Sequence, residues 1–142
     1  MTKHFLKSTA ILLTVVIFFA ACSKENKIRK NLSGTWKVTS ATDSTINADL
    51  ALGATLQYQF SDCKKTDEPC NGVYTLSISF FGLPLTSSVN YKWSVVKDVL
   101  TITPDSTSTL APGSFHIDFT EKDKVTATDV NKASSSYNLQ RQ

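Results

Sequence analysis

His116 and Asp118 sit two residues apart in "SFHIDFT". On a strand that spacing puts both side chains on one face, where a carboxylate can orient an imidazole for proton transfer. Catalysis would also need a nucleophile beside the imidazole. The sequence has no Gly-x-Ser-x-Gly turn and no His-Glu-x-x-His helix. A solvated surface pair is the simpler reading of His116 and Asp118. The segment "DCKKTDEPC" groups Asp62, Asp67 and Glu68, which could face a cation. A calcium loop needs more oxygen ligands in tighter order, so a solvated hairpin is the better reading. Only five glycines are present, and no phosphate-cradling loop is among them. The expected protein is therefore not an enzyme and uses neither metal nor cofactor.

The three cysteines are more informative. Cys63 and Cys70 fall in the body of the chain, and Cys22 falls at the end of an apolar run. Residues 1–7 carry Lys3, His4 and Lys7, and "STAILLTVVIFFAA" follows. That run fits a signal-peptide core of roughly 7–15 residues and is short for a membrane span of about 20. Two cysteines left in an exported domain imply one disulfide, Cys63–Cys70. Closing so short a loop contributes roughly 2.5 kcal/mol on the chain-entropy model. A zinc pair lacks partners, since His116 is the one histidine beyond the signal.

"FAAC", residues 19–22, resembles the lipobox of bacterial lipoproteins. The resemblance implies cleavage before Cys22, with acyl chains such as palmitate attached there. Each buried methylene contributes about 0.8 kcal/mol, and stable anchoring takes two chains or more. Residues 1–21 are then signal peptide, and residues 22–31 are a lipidated, polar, mobile tether. Ser23, Lys24 and Glu25 resemble the start of the export tag of Bacteroidetes-type lipoproteins, without its acidic run. The implied location is the outer membrane or cell surface.

Removing Lys3 and Lys7 with the signal leaves 13 basic and 12 acidic residues. So even a balance argues against a nucleic-acid partner. The remainder is one domain, residues 32–142. It reads as eight short strands, each with one apolar face. Trp36 and Val38 share a face; so do Leu56, Tyr58 and Phe60; so do Tyr74, Leu76 and Ile78. Val89, Tyr91, Trp93 and Val95 form another, and Phe115, Ile117 and Phe119 another. Short turns at Lys97-Asp98 and "EKD" suggest consecutive hairpins. The expected fold is all-β: an eight-stranded antiparallel up-and-down barrel, with a two-sheet sandwich as the alternative.

"LSGTWKV", residues 32–38, resembles the opening of lipocalin-like domains, with Gly34-x-Trp36 as the signature. The resemblance implies that Trp36 plugs the closed end of the barrel and that Arg141 packs over it. Tyr58 and Trp93 are expected in the interior.

In such a barrel alternate connections share an end. One end collects residues 43–53, 82–85, 104–113 and 131–132, and the other 62–72, 97–98 and 121–123. The first is apolar, with Ile46, Leu50, Leu52, Phe81, Leu83, Leu85 and Leu110. The second is charged and carries the disulfide and both chain ends. An apolar rim has three readings: a cork over the barrel, a mouth for a small apolar or amphiphilic ligand, or a contact for an envelope protein. Eight strands leave room for at most one small ligand. A monomer is expected.

Overall fold

A computed structural model describes residues 24–105 and 112–142. Cys22 and Leu110 lie outside the described residues. Eight strands close into one antiparallel barrel in chain order, as expected, and each pairs with its sequence neighbours. They are β1 Gly34–Ala41, β2 Thr55–Phe60, β3 Cys70–Phe80, β4 Leu83–Val96, β5 Val99–Pro104, β6 Gly113–Glu121, β7 Lys124–Asp129 and β8 Ser136–Arg141. β8 closes on β1, with Val38 opposite Leu139 and Trp36 opposite Arg141. Alternation makes this possible: Trp36, Val38, Trp93, Val95, Leu100 and Ile102 are buried, while their neighbours face outward.

Among the described residues two α-helices and a single 3-10 turn, Lys65–Asp67, complete the fold. α1 spans residues 24–32. This corrects the expectation of a mobile tether over residues 22–31. Glu25, Ile28, Arg29 and Leu32 are all buried, at the i, i+3, i+4, i+7 spacing of one helix face. The packed domain thus starts before residue 32. The segment escaped a helix reading because half of its inward face is charged. α2, Ser44–Ala51, fills the long β1–β2 connection. Asp43 caps it, accepting from the backbone N–H groups of Thr45 and Ile46. Asn47 fastens it to β1, accepting from the Ala41 N–H at 2.9 Å and donating to the Ala41 carbonyl.

Ile46 and Leu50 rest half-buried against the core, whereas Leu52 is exposed. α2 is therefore a lid, and Ile46 and Leu50 belong to it. Connections segregate as the topology demands. α2, the β3–β4 turn and the β7–β8 link lie at the lid end; the disulfide loop, Lys97-Asp98 and Lys122-Asp123 lie at the base.

Candidate functional site

The base is built around Trp36, which is fully buried. Its indole N–H donates to the Leu32 carbonyl at 2.7 Å. The Arg141 guanidinium lies over the ring, 4.5 Å from its centroid. The same guanidinium donates to the Ser33 carbonyl at 2.7 Å and to the Asn31 carbonyl. Trp36 and Arg141 thus satisfy carbonyls that the end of α1 leaves open. Gly34 explains the first half of the Gly-x-Trp signature. Its φ is +116°, and a Cβ there would meet Arg141 Nη1 at 2.9 Å.

Arg29 holds α1 to the barrel. Only 1% exposed, it donates to the Val95 carbonyl and to Glu68 Oε1, each at 2.6 Å. The same Glu68 oxygen accepts from the Val95 N–H at 2.8 Å. Glu25, 3.6 Å from Arg29, accepts from the Lys97 N–H at 2.7 Å. That backbone hydrogen bond is the main cause of a Glu25 pKa below the usual carboxylate range; burial opposes it, and Lys65 and Arg29 assist. Cys63 and Cys70 form the expected disulfide, closing the loop that carries Glu68.

The sequence-level chemistry does not assemble. His116 Nδ1 lies 3.9 Å from Asp98, not from Asp118. Asp62 accepts from the Cys63 N–H, Asp67 from the Thr66 hydroxyl, and Glu68 turns to Arg29, so the three acids do not converge. Among the described residues no cluster of three metal-ligating side chains occurs.

Among the described residues the barrel interior is nearly full. Trp36, Tyr58, Phe60, Phe115 and Tyr137 are among the side chains around a cavity with about 30 Å³ open to water-sized atoms. That is room for roughly two waters, at ~10–15 Å³ each. Tyr58, Phe60, Tyr91 and Trp93 pack edge to face, with centroids 5.2–6.2 Å apart in the Tyr58–Tyr91, Phe60–Tyr91 and Phe60–Trp93 pairs. Trp93, expected inside, is buried and donates to the Asn71 carbonyl at 2.9 Å. Burial holds the Tyr58 and Tyr91 hydroxyls far above the ordinary tyrosine range. Tyr74 is raised too, by burial first and then by Asp49 of the lid and Tyr137.

The lid end carries the outstanding feature. β3 passes its last β2 partner at Ser77, and β4 starts at Leu83, well before it meets β5 at Tyr91. Beyond Ser77 the two strands continue as a tongue, paired with each other from Ile78–Leu85 to Phe80–Leu83. Its turn is the dipeptide Phe81-Gly82, not residues 82–85 as the sequence suggests. Both residues have positive φ, +50° and +77°, the sign pattern of a type I′ turn, which follows the twist of the strands.

One face of the β3–β4 hairpin is hydroxylic, with Thr75–Ser88 and Ser77–Thr86 oxygen pairs at 3.2 Å. The other continues the apolar inner wall. Leu76 and Val89 pack on the core, while Ile78, Leu83 and Leu85 stand 40%, 69% and 61% exposed. Phe81 at the tip is 91% exposed. No residue between Glu68 and Lys92 is charged. Of the expected apolar rim, then, Phe81, Leu83 and Leu85 share the tongue, Ile46 and Leu50 are in the lid, and Leu52 stands apart.

Comparison with protein-family models and with curated proteins finds no match to this chain.

Proposed function

We propose that the protein is a lipid-anchored envelope barrel whose tongue binds an apolar surface of a partner protein. The observation that carries the reading is the exposure of Phe81, Leu83 and Leu85 on a hairpin that outruns its barrel. Exposed apolar clusters mark interaction sites. Phe81 adds to the argument, because a non-glycine residue at φ +50° costs about 1 kcal/mol, and Asn or Gly would serve the turn better. An uncharged hairpin suits a partner groove that is itself apolar, since no buried charge would need pairing.

A small ligand at the barrel mouth is the weaker reading, because α2 covers that end and the interior cavity is about 30 Å³. Catalysis draws no support from the arrangement of His116, Asp98 and Asp118.

Site-specific photo-crosslinking in the host envelope tests the proposal. A photoreactive side chain at Leu83 or Leu85 is expected to give one discrete protein adduct, and one at Thr86, on the hydroxylic face, none. Equal labelling from both faces, or no adduct from the apolar one, would refute it. A stoichiometric small molecule co-purifying with the barrel would favour the ligand reading instead.

A further inference from the structure

We infer that the outer face of α1 is a foot that seats the barrel on anionic lipid headgroups. This rests on the proposed acylation of Cys22, two residues before the helix. α1 is sharply two-sided. Glu25, Ile28, Arg29 and Leu32 turn inward and are buried, while Lys24, Asn26, Lys27 and Lys30 are exposed. Both partners of the helix's own ion pair, Glu25 and Arg29, lie on the buried side. The outward side therefore carries lysines with no acid of its own. Among the described residues Lys24 has one ion-pair partner, Asp98 at 3.9 Å, and Lys27 and Lys30 have none, though Asp118 borders the same groove as Lys24 and Lys27.

Two arguments identify the occupant. The first is continuity: the acyl chains at Cys22 would enter the bilayer within two residues of Lys24, so this face cannot lie far from the headgroups. The second is charge: lysines on such a surface are attracted to anionic phospholipid, each strengthening binding roughly five-fold at low ionic strength. A tether would leave the barrel free to tumble. A helix held by Arg29 to the Val95 carbonyl and to Glu68 fixes the base toward the bilayer, with the tongue at the membrane-distal end.

The test joins one saturated C14 chain through a maleimide to Cys22 of the chain from Cys22 to Gln142. Cys63 and Cys70 are occupied by their disulfide, so Cys22 is the reactive thiol. A single such chain gives marginal, reversible binding of about 10⁴ M⁻¹, which makes partitioning sensitive to the lysines. Binding to vesicles of 70:30 phosphatidylcholine:phosphatidylglycerol is expected to exceed binding to pure phosphatidylcholine by tens of fold. The preference should shrink as salt is raised. The triple variant Lys24→Gln, Lys27→Gln, Lys30→Gln should bind both vesicles alike, with an unchanged thermal midpoint. A full preference in that variant, or none in the unmodified sequence, overturns the proposal. Failure of the anchoring reading shows separately, as absence of acyl label on Cys22 in the host.

Discussion

Arg29 is the single side chain on which the base most depends. Replacing it with Ala leaves Glu68 and Glu25 without their buried cation. Breaking such a pair from one side costs about 3 kcal/mol or more. Urea unfolding of Arg29→Ala should show that loss, with α1 released from the barrel. Glu25 adds a pH dependence whose sign follows from its lowered pKa. The folded state binds its proton less readily than the unfolded chain, so the contribution is present above the ordinary carboxylate range near ~4.3. It is lost as pH falls below about 4, and Glu25→Gln should flatten that part of the stability–pH curve. At the other end, Phe81→Asn should raise stability by about 0.5–1 kcal/mol in the same assay, because Asn tolerates positive φ. It should weaken partner capture at the same time. A residue that is costly for the fold and useful for contact is the pattern expected of a functional position.

At the scale of elements, the strands were legible and the helices were not. Alternation in "TLQYQF" and "YKWSVV" needs no context, because a strand face is buried or exposed residue by residue. α1 hides its period by placing Glu25 and Arg29 on the inward face, where partners such as Lys97, Lys65, Glu68 and Val95 make them acceptable. α2 lies in a connection, residues 43–53, that hydropathy shows only as part of the apolar end; its Asp43 cap and Asn47 latch are local hydrogen bonds that hydropathy does not register. The tongue is not legible in the sequence for a third reason. Its alternation does not stop at the rim, so the sequence of a strand that leaves the barrel looks like that of one that stays. The two parts should respond differently to mutation. Leu83→Ser with Leu85→Ser should change stability by less than about 0.5 kcal/mol per site, as exposed positions do, whereas Phe60→Ala, in the aromatic stack, should cost about 3 kcal/mol. Chemical denaturation distinguishes them. Reducing Cys63–Cys70 should cost roughly 2.5 kcal/mol and loosen the loop that presents Glu68 to Arg29.

Taken whole, the molecule separates its jobs along the barrel axis. Ionic pairs, the disulfide and the lysine face gather at the base; hydroxyls and uncovered leucines gather at the far end. The order of strands enforces this separation, since each connection alternates ends. The expectation of two chemically distinct ends followed from that order and holds, although the apolar end divides between a covering helix and a projecting hairpin.

The return of β8 to β1 has a practical corollary. The Gln142 N–H donates to the Thr35 carbonyl at 3.0 Å, which puts the last residue at the start of β1, level with the plug. Gly82 marks the opposite pole. β3, eleven residues long, rises about 36 Å along its own direction, or roughly 25–30 Å of height at the tilt usual for barrels. Fluorophores at Gly82 and after Gln142 would therefore bracket a rod of known span, and their separate distances to a labelled bilayer would read out its tilt.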